Sequence, residues 1–229
     1  MKKIFPIGVS DFKEMITGNY YYADKSLFIK DIIEDGAKVI LLPRPRRFGK
    51  TLNISMLKYF YGSKDNASLF QSLKVQGYKH IMDKQGKYPV IYLTFKDEKH
   101  STWENCKKGF TMLFSNLYLQ YNYLLNSDVL SDVEKKNFNT ILHEEAELVE
   151  VARSLLNLSS YLHKYHNQKV VILIDEYDVP IQEGYTKGYY NQIIEFMRNL
   201  LSGGLKDNIY LEKAVLTGIL RVAKESIFS

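Results

Sequence analysis

The chain has 229 residues, 45% of them hydrophobic and 25% charged, and its 31 basic and 26 acidic side chains give a formal net charge of +5. This composition excludes a disordered or fibrous protein and is typical of a globular one. The single cysteine, Cys106, excludes an internal disulfide and a zinc site built from several thiolates, so we expect a protein of the reducing cytoplasm.

Residues 1–37 are predicted to form a preamble of two short helices ahead of the main domain. Ser10 is a candidate N-cap for a helix over residues 11–17. Asp24 is a candidate N-cap for a helix over residues 25–34 that stops at Gly36.

Residues 38–229 are predicted to form the main domain, in which strands alternate with helices. Four runs are almost continuously apolar, as in strands buried on both faces of a parallel sheet; they are residues 38–42, 89–95, 169–174 and 213–219. None approaches the roughly 20 residues of a membrane span, so no membrane partner is expected. Apolar spacings of three and four predict helices over residues 51–61, 102–124, 144–166 and 186–202. The alternation predicts an α/β fold with a doubly wound sheet.

Two further signals predict where the chain is not helical. Gly203 and Gly204 supply a stop for the last predicted helix. Residues 125–140 are polar and show no clear period, so they are predicted to be an exposed connector.

The first strand leads into a Gly-Lys-Thr triplet, which is the core of a phosphate-binding P-loop. In such a loop the backbone N–H groups face the phosphates, Lys50 contacts the β and γ oxygens, and the Thr51 hydroxyl coordinates Mg²⁺. The usual pattern has its first glycine at the position of Arg44, so the loop must follow a different path. Arginines can replace missing donors, because a guanidinium makes bidentate contacts with phosphate. The residues predicted to bind the nucleotide here are Arg44, Arg46, Arg47, Phe48, Gly49, Lys50, Thr51 and Leu52.

The third apolar run ends in two acids, the form expected of a Walker B segment. Asp175 is predicted to hold Mg²⁺, and Glu176 to polarise the attacking water. Ligands of an open α/β sheet bind at the carboxyl ends of its strands, so both acids should share one crevice with Lys50. A GTPase would carry Asp-x-x-Gly here and Asn-Lys-x-Asp later, and neither is present. ATP is therefore favoured over GTP.

The fourth run carries two weaker candidates for catalysis. In ATPases with such an acid pair the strand after Walker B carries a polar residue that senses the γ-phosphate; Thr217 lies where that residue would fall, and Arg221 could stabilise transition-state charge. The alternatives are a hydrogen-bonded hydroxyl at a strand end and a surface arginine. The chain stops soon after this run, so we expect a fragment of a longer polypeptide.

Four segments together resemble the bacterial AAA-ATPase-like family, and the resemblance covers nearly the whole chain. The segments are residues 5–12, 21–26, 42–51 and 173–181. The family's P-loop reads Arg-Pro-Arg-Arg-Phe-Gly-Lys-[Ser/Thr], which implies that Arg44 is a family feature and not a loss of function.

The resemblance also implies a sheet order, site residues and partners. The strand order would be 5-1-4-3-2, with the fifth strand beyond Ser229 and the first strand then an edge open to a second copy of the chain. Tyr22 and Lys25 would border the adenine, although a tyrosine-rich preamble packed on the core explains them equally well. Family members commonly carry a C-terminal nuclease-like domain of the PD-(D/E)XK type.

These observations lead to one main functional hypothesis and two alternatives. The main one is an ATP-binding module with Mg²⁺-dependent hydrolysis that regulates or powers an effector domain absent from this chain. The first alternative is a nucleotide sensor that changes conformation and hardly turns over. The second is nucleic-acid binding, in which Arg44, Arg46 and Arg47 contact the phosphate backbone.

Overall fold

A computed structural model describes residues 3–206 and 208–219, in which four parallel strands form one sheet. The strands are β1 (Val39–Pro43), β2 (Val90–Thr94), β3 (Val170–Asp175) and β4 (Leu211–Gly218). Their spatial order is β1-β4-β3-β2. The predicted α/β fold is confirmed, and these four strands follow the order that the resemblance implied. The expected fifth strand lies outside the described residues.

The described helices lie before the first strand and between the strands. They are α1 (Phe12–Thr17), α2 (Leu27–Glu34), α3 (Lys50–Gly62), α4 (Lys79–Met82), α5 (Trp103–Leu119), α6 (Asp132–Leu142), α7 (Leu148–Val151), α8 (Ser154–His166), α9 (Val179–Lys187) and α10 (Tyr190–Leu205). Short 3-10 helices cover Lys64–Phe70, Lys74–Gly77 and Asn122–Asn126. None of the helices in the described ranges is long and apolar enough to cross a membrane.

Helices cover both faces of the sheet, and β3 is therefore buried along its whole length. Val171 and Leu173 face one apolar cluster, which also contains residues of α1, α2 and α3. Ile172 and Ile174 face the other, which contains residues of α5, α8 and α10. Burial on both faces explains why the run over residues 169–174 is continuously apolar and does not alternate.

The preamble is held against α3, the helix that begins at the Gly-Lys-Thr triplet. Phe12 of α1 is fully buried and stacks on Phe70, with ring centroids 5.2 Å apart. The Asp11 carboxylate accepts hydrogen bonds from Ser55 Oγ at 3.1 Å and from Tyr59 Oη at 2.9 Å, both on α3. Apolar packing and these hydrogen bonds thus hold the preamble beside the loop that precedes α3.

Both predicted preamble caps are displaced along the chain. Asp11, and not Ser10, caps α1 by accepting the Glu14 N–H at 2.9 Å. Asp24 is not the N-cap of α2, because that helix begins after Ser26. The Asp24 carboxylate instead accepts hydrogen bonds from the Ser26 N–H at 2.8 Å and from the Lys74 N–H at 2.8 Å. It thus joins the start of α2 to the 3-10 helix Lys74–Gly77.

The predicted connector over residues 125–140 is wrong, because most of it belongs to α6. Ser131 and Glu134 form a capping box at the start of α6, and Phe138 and Ile141 bury its apolar face. The helix predicted over residues 144–166 is divided into α7 and α8.

The helix predicted over residues 186–202 is also divided, and it ends later than predicted. Gly188, with φ +85°, ends α9, and α10 begins at Tyr190. Gly203 and Gly204 do not stop α10, which runs on to Leu205.

Candidate nucleotide site

The loop that joins β1 to α3 folds around the side chain of Lys50. Gly49 is the N-cap of α3 with φ +71°, and Arg47 is also left-handed, with φ +67°. Lys50 Nζ donates to the carbonyl oxygens of Arg44 and Pro45, both at 2.9 Å. The ammonium group is therefore held by the loop itself, at the start of a helix whose first N–H groups favour anions.

Arg44 takes the place of the first P-loop glycine without adopting a glycine-like backbone. It is not among the described residues with positive φ, so the left-handed position of this loop has moved to Arg47. The Arg44 N–H donates to the Gly218 carbonyl at 3.0 Å, which ties the start of the loop to the end of β4. Arg44, Arg46 and Arg47 are exposed, and none forms an ion pair with a residue of the described ranges. Their guanidinium groups are available to phosphate oxygens.

Asp175, at the carboxyl end of β3, links three elements of the site. Its side chain is 1% exposed. Oδ2 accepts a hydrogen bond from Thr51 Oγ1 at 2.8 Å, and Oδ1 accepts one from Thr217 Oγ1. Thr51 is on α3 and Thr217 is on β4, so the carboxylate joins the loop, the central strand and its neighbour.

Glu176 follows Asp175 in a left-handed conformation, with φ +54°. Its N–H donates to Thr217 Oγ1 at 3.4 Å, and the next N–H, of Tyr177, donates to the Thr217 carbonyl at 3.0 Å. A non-glycine residue in this region costs about 1–3 kcal/mol and persists only where its surroundings impose it. The hydrogen bonds to Thr217 impose the left-handed conformation of Glu176 here. Glu176 also lines a cleft that Lys50 lines too.

Two cavities meet at Lys50. The larger, about 420 Å³, is a polar cleft; among its lining residues are Arg46, Arg47, Gly49, Lys50, Thr51, Leu52, Lys96, Lys99, Glu176 and Gln182. The smaller, about 230 Å³, is more apolar and is lined by Lys25, Phe28, Leu42, Arg44, Phe48, Lys50, Asn53, Ile54 and Thr217. Lys50 lines both, so a ligand held by its ammonium can extend into each cavity.

Comparison with known proteins identifies the family. The family model described as "Predicted AAA-ATPase" matches residues 6–228, which is almost the whole chain. The chain belongs to this family. It is also 28% identical over 230 residues to a protein of Azotobacter chroococcum mcd 1 described as "Uncharacterized protein in vnfD 5'region". The match covers all of this chain and 39% of that relative, so the chain spans about two fifths of the relative's length. No solved structure matches the chain.

In this AAA-ATPase-like chain the two preamble residues singled out by the sequence have different surroundings. Lys25 lines the smaller cavity. Tyr22 does not line it: its ring packs edge-on against Phe12, with centroids 5.7 Å apart, and its hydroxyl accepts the Lys25 N–H at 3.3 Å. Burial raises the pKa of Tyr22 to about 12. Tyr22 thus packs against the core and supports the backbone at Lys25.

Several cavity residues were not found by sequence reasoning. Phe28 and Asn53 line the smaller cavity, and Lys96 and Lys99 line the larger one. The signal for the two lysines was present, because they follow the predicted strand over residues 89–95 and the carboxyl ends of parallel strands meet at one edge. Arg221 lies outside the described residues.

The oxygen atoms around Asp175 fit a magnesium ion. Thr51 Oγ1 and Asp175 Oδ2 are 2.8 Å apart. Mg²⁺ is usually held by one or two protein oxygens together with water and phosphate, so a larger ligand cluster is not required. In residues 3–206 and 208–219 no group of three or more His, Cys, Asp or Glu residues is arranged to hold a metal ion.

Proposed function

We propose that the chain binds ATP together with Mg²⁺ and hydrolyses it. The observation that carries this proposal is the hydrogen-bonded series Thr51–Asp175–Thr217, which joins the start of α3 to the carboxyl ends of β3 and β4. A helix start that favours anions thus lies against a buried carboxylate that can hold a cation. This pairing is what binding of a magnesium–phosphate group requires, and membership of the Predicted AAA-ATPase family supports it.

The two cavities suit the two ends of a nucleotide. Phe28, Leu42 and Ile54 give the smaller cavity apolar and aromatic walls that suit a base. The cationic side chains of the larger cleft suit the phosphates. Because Lys50 lines both cavities, a nucleotide spanning them would place its phosphates at the Lys50 ammonium. That group would exchange its contacts with the Arg44 and Pro45 carbonyls for phosphate oxygens.

Thr51 and Asp175 would hold the magnesium ion, which when bound neutralises charge on the phosphate oxygens. Glu176 lines the larger cleft, where its carboxylate can accept a proton from an attacking water. The backbone hydrogen bonds between Glu176, Tyr177 and Thr217 fix the direction in which Glu176 leaves β3. The Thr217 hydroxyl donates to Asp175, so its proposed role is to orient that carboxylate.

The cellular setting of this activity is part of the proposal. The relative is much longer than this chain, which leaves room in that protein for an effector such as the nuclease-like domain that the resemblance implied. ATP binding and hydrolysis would regulate or power such a domain. A cytoplasmic location suits a chain with one cysteine.

Thermal unfolding with and without Mg-ATP tests nucleotide binding, and phosphate release tests hydrolysis. A ligand at 100 times its Kd stabilises a protein by about 2.7 kcal/mol, which is a readily measured rise in Tm. We expect this rise in the wild type and in Lys108→Ala, which removes an exposed lysine of α5, and not in Lys50→Ala. ATP binding without phosphate release would refute the proposed hydrolysis and support the alternative, a nucleotide sensor. The absence of a rise in the wild type would refute the proposal.

A further inference from the structure

The segment between β2 and α5 lies directly beside the proposed site. Thr94, the last residue of β2, pairs with Asp175 in the sheet, and the Phe95 N–H donates to the Asp175 carbonyl at 3.0 Å. The residues that follow, Phe95 to His100, form the lysine loop. This loop leaves the sheet at the edge where Asp175 and Glu176 are located.

The lysine loop carries both exposed and buried side chains, and Asp97, next to Lys96, is among the exposed ones. Lys96 and Lys99 are exposed and line the larger cleft. Glu98, between them, is only 8% exposed. Neither lysine forms an ion pair with a residue in the part of the chain that the structure describes. Their ammonium groups are therefore free to bind an anion from the cleft.

Partly buried contacts hold the lysine loop in place. Glu98 Oε2 is 2.9 Å from His100 Nε2, and the His100 carbonyl accepts a hydrogen bond from Tyr189 Oη at 2.7 Å. Gly109 of α5 leaves room for this pair, because a Cβ atom there would overlap the His100 ring and lie 2.7 Å from Glu98 Oε2. An anchored loop gives the two lysines defined positions, which lowers the entropy lost when they bind a ligand.

The charges of the larger cleft call for a polyanionic ligand. Its lining residues include five basic side chains and one carboxylate, that of Glu176; the basic ones are Arg46, Arg47, Lys50, Lys96 and Lys99. Like charges in one cleft repel each other and focus a positive potential on it. The arginines come from the loop before α3 and Lys50 is the first residue of α3, whereas Lys96 and Lys99 come from the loop after β2, on the far side of Asp175.

We propose that Lys96 and Lys99 form a second phosphate-binding element, which contacts the terminal phosphate of a nucleoside triphosphate held at Lys50. The proposal rests on the proposed nucleotide-binding function and deepens it. It makes the lysine loop the part of the site that distinguishes a triphosphate from a diphosphate, because a diphosphate lacks the group that these ammonium ions contact.

Isothermal titration of the 229-residue chain with ADP and with the non-hydrolysable ATP analogue AMP-PNP, both with Mg²⁺, tests this proposal. The double variant Lys96→Ala/Lys99→Ala should bind AMP-PNP about tenfold or more weakly, as the loss of charge-assisted contacts requires, and ADP nearly as the wild type does. The matched control is Lys108→Ala/Lys136→Ala, which removes the same charge from exposed positions on α5 and α6. The control should bind both nucleotides like the wild type.

The other outcomes are distinguishable. Unchanged AMP-PNP affinity in the double variant, or an equal loss for both nucleotides or in the control pair, would overturn the assignment to the terminal phosphate and leave the proposed function standing. If the double variant keeps AMP-PNP but loses salt-sensitive binding of a single-stranded oligonucleotide, the lysines serve a nucleic acid and the assignment also fails. If the wild type binds neither nucleotide, the proposed function fails and this inference fails with it.

Discussion

Thr51 Oγ1 donates a 2.8 Å hydrogen bond to Asp175 Oδ2, although 124 positions separate the two residues in the chain. The contact brings a helix start and a strand end together at one point. Thr217 occupies the other carboxylate oxygen, so both Asp175 oxygens have hydroxyl donors in this structure. A cation bound here would replace the hydrogen bond between the Thr51 hydroxyl and the Asp175 carboxylate. It would be held by lone pairs of Thr51 Oγ1 and Asp175 Oδ2.

The first prediction concerns this hydroxyl. Thr51→Ala should remove the part of ATP affinity that depends on Mg²⁺, because it deletes one proposed magnesium ligand, whereas Thr51→Ser keeps the hydroxyl. We expect at least about a tenfold loss, or ~1.4 kcal/mol, for the alanine variant in Mg²⁺ and little change in EDTA. Calorimetric titration with ATP in both buffers measures this. Equal affinities of the alanine and serine variants in Mg²⁺ would contradict the proposed ligand role.

The second prediction concerns Glu176. Glu176→Gln preserves the size of the side chain and removes its ability to take a proton, so nucleotide binding should persist while hydrolysis falls by about 10²–10⁴-fold. Steady-state phosphate release together with the Mg-ATP thermal shift measures the two effects separately. Glu195→Gln, at an exposed position on α10, is the control and should keep full turnover. A Glu176→Gln variant as active as the wild type would show that another group is the base.

The sheet was predictable because its central strand, β3, is buried on both faces. The continuous apolar run over residues 169–174 leaves few alternatives to a central strand, and the carboxyl-edge rule then placed Asp175 near Lys50. The helix α6 was harder to predict, because only a few of its side chains are buried and most of its surface is polar. The spacing of Ser131 and Glu134 is that of a capping box and could have predicted the start of α6, although the apolar residues of this segment show no clear helical period.

Other features depend on contacts that no local pattern contains. Arg47 is left-handed although arginine has no preference for that conformation, so the surrounding loop must impose it. Lys96 and Lys99 reach the cleft only because β2 lies beside β3, which is a property of the strand order. Gly204 is read locally as a helix stop, yet it allows α10 to lie close to Leu155 of α8.

The third prediction uses the adjacent glycines of α10. A Cβ at Gly203 would meet nothing within 4 Å, so Gly203→Ala should stabilise the protein by up to about 1 kcal/mol through helix propensity. A Cβ at Gly204 would lie 2.7 Å from Leu155 Cβ, so Gly204→Ala should destabilise it by about 1–3 kcal/mol through overpacking. Urea unfolding of both variants measures the difference. Two changes of the same sign would contradict the close helix contact.

The fourth prediction concerns pH and the preamble. Burial raises the pKa of Asp11, but hydrogen bonds from the Glu14 N–H and from the hydroxyls of Tyr59 and Ser55 outweigh it and hold the pKa below its ordinary value of 3.8. The unfolded chain therefore takes up this proton at a higher pH than the folded chain does. Asp11 thus contributes stability that is present above about pH 4 and is lost as the pH falls through the folded pKa.

Asp11→Asn keeps a side-chain acceptor for the cap of α1 but has no titrating carboxyl. It should lower Tm at pH 6, where the charged carboxylate accepts stronger hydrogen bonds, and the difference from the wild type should shrink as the pH is lowered to 3. Asp31→Asn, at an exposed position on α2, controls for the loss of one charge and should show no such convergence. A Tm difference for Asp11→Asn that stays constant from pH 6 to pH 3 would mean that the Asp11 contacts with α3 do not depend on its charge.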